Sequence, residues 1–407
     1  MARQTIMNLS RRRFFQTCGV LAATATGIML AGCSSRPQPP RFPARDAAGM
    51  LISTMSVEEK AAQLFVVTPE QVSGTEAVWQ VDDAFRAGFQ ATPVCGITYF
   101  GANLVDTAQT KAMLADTQAL TGEFGMPPLF LCVDEEGGPV QRIGSNPGFD
   151  APFIANAADI GATGDVAVAW ENAHLIASEL KDLGFNVDFA PSCDVATTER
   201  SNMRQRSFGA EADLVGRMVA AQVEAFRGEG MLCCAKHFPG IGDPEDDSHA
   251  SSIYSNKTRE ELDAQLAPFV AAIVAGVPMV MVGHLSLPQI TGGAIPASIS
   301  PTIVQGILRD DIGYDGVVIT DSLSMGALLE FCSPADVGVA AIEAGCDIAL
   351  MPSEFDAAYA GLVDAIHGGR IPMERIDQSL MRILTLKLKS FPHLFDETIQ
   401  EELEKNG

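Results

Sequence analysis

The sequence predicts an α/β protein built as one (β/α)8 barrel. Eight short apolar runs recur along the chain, at 64–67, 96–100, 129–133, 187–190, 232–235, 279–282, 317–320 and 348–351. Amphipathic stretches of helical period separate them, for example 166–183, 211–228, 259–275 and 334–344. The runs are nearly continuous in apolar residues instead of alternating, which is how strands read when helices cover both faces of a parallel sheet. Eight strand–helix units in succession suit a sheet that closes on itself. The competing arrangement, an open doubly wound sheet, calls for a glycine-rich phosphate turn after its first strand, and none stands there. The barrel is expected to span 47–391, with an acidic tail over 392–407.

Residues 1–32 read as an export address, not as part of the fold. They hold four arginines, Arg3 and the run Arg11-Arg12-Arg13, and no acid. Ser10-Arg11-Arg12-Arg13-Phe14-Phe15 has the form of a twin-arginine signal. The apolar stretch 20–30 is too short to cross a bilayer as a stable helix. It ends on Leu30-Ala31-Gly32-Cys33, which resembles the lipobox of bacterial lipoproteins. Acyl chains on Cys33 would hold the chain at the outer face of the cytoplasmic membrane. Residues 33–46, rich in Pro, Arg and Ser, follow as an extended tether.

The formal net charge is −24, and −28 once residues 1–32 are set aside. A surface of that sign repels nucleic acid, and no basic stripe overrides it. Of nine cysteines, Cys18 lies in the signal and Cys33 at the lipobox. Cys95, Cys132, Cys193, Cys233, Cys234 and Cys346 lie in or beside apolar runs and read as small core residues, with Cys332 in a loop. No pair has the spacing of a metal site.

A barrel gathers the polar residues at the C-terminal ends of its strands around one mouth. Here these are Asp134-Glu135-Glu136-Gly137-Gly138 after the third run, Asp194 after the fourth, Lys236-His237 after the fifth, His284 after the sixth and Asp321 after the seventh. A Gly/Pro loop then runs from Phe238-Pro239-Gly240 to Asp247-Ser248-His249. An extended backbone puts Asp247 and His249 on one side, and a carboxylate beside an imidazole fixes its tautomer and raises its basicity. Alone, that triplet could equally be a polar surface turn. Asp321 could cap a helix or, opposite a proton donor, attack an electrophilic carbon, the pairing that retaining glycoside cleavage requires. Asp134, Arg142 and Arg206 could grip sugar hydroxyls through charge-assisted hydrogen bonds, with Lys236 and His237 as donors at the pocket floor. Each could instead serve an ion pair that holds a barrel loop.

Taken in order, the motifs resemble those of glycoside hydrolase family 3 β-N-acetylglucosaminidases of the NagZ type. They are Met55-Ser56-Val57-Glu58-Glu59-Lys60, Val133-Asp134-Glu135-Glu136-Gly137-Gly138, Phe189-Ala190-Pro191, Arg206-Ser207-Phe208-Gly209, Lys236 through His249, Leu308-Arg309, Asp321-Ser322-Leu323-Ser324-Met325 and Arg375-Ile376-Asp377. The resemblance covers most of 50–390. It implies a lone barrel without the second sandwich domain of larger members, Asp321 as nucleophile, His249 as acid/base and Asp247 as its partner. It also implies that Asp134, Arg142, Arg206, Lys236 and His237 hold the innermost sugar. No metal or organic cofactor is expected, and the implied substrate is a GlcNAc-containing saccharide, GlcNAc-β-1,4-MurNAc fragments of peptidoglycan. Two positions depart from the pattern: Ile241 stands where histidine is common, and Pro139 where arginine often follows Glu-Gly-Gly. A phosphorylase using the same residues and a non-catalytic sugar-binding lipoprotein are the alternatives.

Overall fold

The computed structural model describes residues 43–198, 200–242, 253–328, 330–395 and 399. Cys33, Asp247 and His249 lie outside the described residues, as do the signal at 1–32 and most of the tail. Eight barrel strands appear where the apolar runs predict them: β1 (Phe65–Val67), β2 (Gly96–Thr98), β3 (Phe130–Val133), β4 (Val187–Asp188), β5 (Leu232–Phe238), β6 (Met279–Val282), β7 (Val317–Thr320) and β8 (Ala349–Leu350). All pair in parallel in the order β8-β1-β2-β3-β4-β5-β6-β7. A bridge between Ile319 and Ile348 joins β7 to β8, with Thr320 donating to the Ile348 carbonyl at 3.0 Å. The sheet is therefore closed, and the fold is the expected (β/α)8 barrel.

Helices wrap this sheet, each strand's exit leading to one. Val166–Leu183, Ala212–Glu229, Arg259–Val274 and Pro334–Ala344 match the predicted stretches closely. Their ends follow local chemistry. Asp165 caps the first helix by accepting from the Ala167 N–H, and Gly184 closes it at φ +107°. Three boundaries differ from the sequence reading. The first described helix runs Pro43–Thr54, so residues 43–46 belong to the domain and not to the tether. Proline suits a first helical turn, and Ala44, Ala47, Ala48 and Ile52 are buried. At the other end Pro392–Leu394 forms a 3-10 turn and Phe395 is buried, so the domain outlasts 391. Finally, β5 reaches Phe238, which places Lys236 and His237 inside the strand instead of after it.

The core cysteines are as expected: Cys95, Cys132, Cys193, Cys233, Cys234 and Cys346 are buried free thiols, and Cys332 is partly exposed. The N-terminal end of the barrel is closed by charge. Asp347, with no exposure, accepts from Arg309 Nη2 at 2.6 Å, Ser379 Oγ at 2.7 Å, the Val318 N–H at 3.0 Å and Arg382 Nη1 at 3.1 Å. Arg309 and Arg375, both in sequence motifs, thus serve the stable end of the fold. A cavity of about 760 Å³ opens beside it, bordered by Asp315, Met381 and Arg382. It lies at the opposite end from the strand exits.

Lys387 is fully buried near the same end, donating to the Cys95 carbonyl at 2.8 Å with its ammonium 4.7 Å from the Phe130 ring centre. Burial pulls its pKa down from 10.5 to about 8. Below pH 8 the amine is charged in both folded and unfolded chains, and the fold carries the whole burial cost, about 3 kcal/mol. Between pH 8 and 10.5 the folded chain binds fewer protons than the unfolded one, so stability rises with pH. The Cys95 carbonyl also accepts from the Phe130 N–H at 3.0 Å, so removal of the amine leaves no orphan acceptor. Lys387→Met is expected to raise the unfolding midpoint at pH 7 and to flatten its rise between pH 8 and 10.5 in thermal melts.

Candidate active site

The strand exits converge as the barrel requires. Lys236, 2% exposed, lies 2.6 Å from Asp134 Oδ1 and 2.6 Å from Glu136 Oε1. Arg206 donates to the same Glu136 through Nε at 2.8 Å and Nη2 at 2.6 Å. Burial alone would raise the Glu136 carboxyl, but Lys236 and Arg206 overcome it and hold the group far below the usual carboxylate range. The Lys236 ammonium is likewise held charged: burial opposes it, and Asp134 and Glu136 prevail. Glu136 was not singled out from sequence. Its only signal there is its place in the Asp-Glu-Glu-Gly-Gly motif.

That motif folds back as a hairpin, Glu135–Gly137 against Val140–Gln141. Gly138 sits at φ +57°, and a Cβ there would come within 2.5 Å of the Asn156 Cβ, so a side chain is refused on both counts. Glu135 shapes the next turn. Its carboxylate accepts the N–H groups of Arg142, Ile143 and Gly144 at 2.5, 2.9 and 2.9 Å. Burial still leaves its pKa raised. The turn presents Arg142 with its guanidinium 5.6 Å from the Phe100 ring centre, and Arg142 Nε is buried with no hydrogen-bond partner among the described residues. A buried, uncommitted donor is uncommon in a native fold and points to a ligand.

Opposite this cluster, Asp321 follows β7, its N–H held by the Val282 carbonyl at 2.8 Å. Its Oδ1 accepts from the Ser322 N–H at 2.7 Å. Burial pushes its pKa up, but the imidazoles of His237 and His284, the Ser322 N–H and Lys236 bring it below the ordinary value. It is a carboxylate at neutral pH. His284 sets its surroundings: Nε2 donates to the Ser322 carbonyl at 2.9 Å, while Nδ1 meets Ser298 Oγ at 2.7 Å. His237 Nδ1 lies 2.8 Å from Asp194 Oδ2, and its Nε2 lies 3.4 Å from Arg206 Nη2. The geometry thus brings Asp134, Arg206, Lys236 and His237 into one network, with Asp321 within its field. Arg142 stands on the turn after the hairpin, its backbone N–H held by Glu135, and among the described residues its side chain makes no hydrogen bond to this network.

These residues lie in a segment with known relatives. Residues 56–386 match the model of the glycosyl hydrolase family 3 N-terminal domain. The chain belongs to this family. The β-hexosaminidase A of Pseudoalteromonas piscicida is 34% identical over 324 residues, covering 72% of this chain and 53% of that protein. The chain thus spans about half the length of that relative. A β-hexosaminidase of Xanthomonas oryzae pv. oryzae is 34% identical over 283 residues, 69% of this chain and 81% of that one. Among solved structures, a family 3 β-N-acetylglucosaminidase from Paenibacillus sp. FPU-7 superposes with a TM-score of 0.78 at 35% identity, covering 87% of this chain and 68% of that one.

The ion-pair network makes a quantitative claim. Glu136→Gln leaves the buried Lys236 with Asp134 alone and removes the carboxylate that pairs with Arg206. Breaking one side of a buried pair costs about 3–5 kcal/mol. Urea unfolding of this variant should show a loss of that order, whereas Glu224→Gln, exposed on the helix Ala212–Glu229, should change little.

Proposed function

We propose that this protein is a retaining exo-β-N-acetylglucosaminidase that removes terminal GlcNAc from GlcNAc-β-1,4-MurNAc fragments of peptidoglycan. The observation that carries this reading is Asp321, an ionised carboxylate at the mouth of a family 3 barrel, in the field of two imidazoles and the Lys236 ammonium. The names of the Pseudoalteromonas, Xanthomonas and Paenibacillus relatives support the sugar preference. Arg142, with its uncommitted Nε, supports a polar ligand beside it.

In this mechanism Asp321 attacks the anomeric carbon as His249, held by Asp247, protonates the glycosidic oxygen. The C1–O bond breaks and a glycosyl ester forms. His249 then takes a proton from water, whose oxygen displaces the ester with β configuration restored. An imidazole serves both halves because its ordinary pKa, about 6.5, is near neutrality. The ends of the segment bearing it support this placement. Ile241 N–H is held by Asp194 at 2.7 Å on one side, and the Ile253 carbonyl accepts from Ser286 N–H at 2.9 Å on the other. Both anchors follow barrel strands at the mouth.

The deciding experiment is product analysis of a β-GlcNAc glycoside with and without phosphate, the anomer read by NMR. Free β-GlcNAc in both is expected; GlcNAc-1-phosphate would establish phosphorolysis, and no turnover a binding protein. Asp321→Asn should nearly abolish turnover. His249→Ala should lose far more rate on a disaccharide than on an activated aryl glycoside, and equal losses would remove the acid role.

The same reading places the enzyme at the outer face of the cytoplasmic membrane, through acylation of Cys33. The order of twin arginines, apolar run and lipobox supports it. Cys33→Ala should move the protein from the membrane fraction to the soluble fraction and abolish incorporation of labelled fatty acid.

A further inference from the structure

Asp194 has no part in the chemistry above, yet it is fully buried and donors surround it. Its Oδ2 lies 2.8 Å from His237 Nδ1, 3.2 Å from the His237 N–H and 3.1 Å from Ser192 Oγ. Its Oδ1 accepts from the Ile241 N–H at 2.7 Å. Both oxygens are thus acceptors for backbone N–H groups, and the ring nitrogen facing Oδ2 is satisfied when it carries a proton. On the other side of the ring, Nε2 faces Arg206 Nη2 at 3.4 Å. A guanidinium has donors only, so it pairs with a bare nitrogen and not with an N–H. The two sides of one imidazole are therefore constrained independently, and they agree.

We propose that Asp194 is a positioning residue that holds the His237 proton on Nδ1, so that Nε2 meets the bound sugar as an acceptor. The consequence is a matter of complementarity. Arg142, Arg206 and Lys236 offer the ring donors alone. His237 Nε2 adds one acceptor: a sugar hydroxyl that donates to it takes the place Arg206 Nη2 holds at 3.4 Å, and the same hydroxyl can accept from Arg206. A site that pairs both sides of a hydroxyl discriminates strongly against a sugar lacking it, because the buried partners are then left unpaired. This deepens the proposed function, since it takes the mouth to bind a GlcNAc ring. The second oxygen adds a further constraint: it fixes Ile241, at the point where the chain leaves β5.

The test uses the whole protein labelled with 15N-histidine, read by long-range 1H–15N NMR at pH 8, with the His237 signals identified by their loss in His237→Asn. The expected result is a protonated Nδ1 and an unprotonated Nε2 in the wild type. In Asp194→Asn the amide cannot accept on both sides at once. The His237 pattern should shift or become mixed, and the KM for 4-nitrophenyl β-GlcNAc should rise about 10- to 100-fold, with kcat changed less. A wild-type spectrum with the proton on Nε2 would overturn the proposal. So would a folded Asp194→Asn that keeps both the wild-type spectrum and the wild-type KM. If that variant does not fold, the wild-type spectrum decides alone. A wild type that shows the Nδ1 proton but turns over no β-GlcNAc glycoside would sink the functional reading and leave the tautomer assignment standing.

Discussion

An ammonium group at 2% exposure is unstable in a protein unless anions surround it closely. Lys236 meets that condition with two carboxylates at 2.6 Å, Asp134 and Glu136. The rest of the mouth depends on this pairing. Glu136 is placed by the hairpin after β3 and by a two-point contact with Arg206. Arg206 in turn contacts the His237 ring, and His237 is fixed from behind by Asp194. Three strand exits are thereby tied together by charge instead of by apolar packing. Lys236, Glu136, Arg206 and His237 each have a partner on both sides, which is the arrangement that makes a buried network rigid instead of costly.

That rigidity serves a carboxylate. Burial alone would raise the pKa of Asp321, and the surrounding imidazoles, N–H donor and Lys236 ammonium bring it below the ordinary value instead. The network therefore does two things at once. It fixes a set of hydrogen-bonding groups at the mouth, and it keeps Asp321 ionised. Separate charges grouped at the opposite end, around Asp347, contribute to closing the barrel and take no part in this. The division between a stable end and a reactive end is the common one for this architecture.

Much of this was legible in the chain. The eight strands could be read because strands covered on both faces are apolar throughout, and all eight were found within a few residues of the predicted positions. Asp134, Lys236, His237 and Asp321 were legible because they stand at run ends, where a barrel gathers its polar side chains. The partners were not. Lys236 and Asp134 are 102 positions apart, and His237 and Asp194 are 43 apart; no local pattern links such pairs. Glu136, Asp194 and His284 read as strand-end residues at the mouth, and for that reason nothing local gives them a role. The start of the domain was misplaced because Pro43 and its alanines read as a linker, although proline also opens helices and Ala44, Ala47 and Ala48 are buried.

The account turns on which carboxylate bonds to the anomeric carbon. A 5-fluoro derivative of GlcNAc carrying a good leaving group slows breakdown of the glycosyl ester more than its formation, so the ester accumulates. Digestion and mass spectrometry then locate the added mass. The account predicts one label per chain, on the peptide containing Asp321, with no labelling of the Asp321→Asn variant. A label on Asp134 or Glu136, or steady turnover with inverted product and no trapped ester, would contradict it.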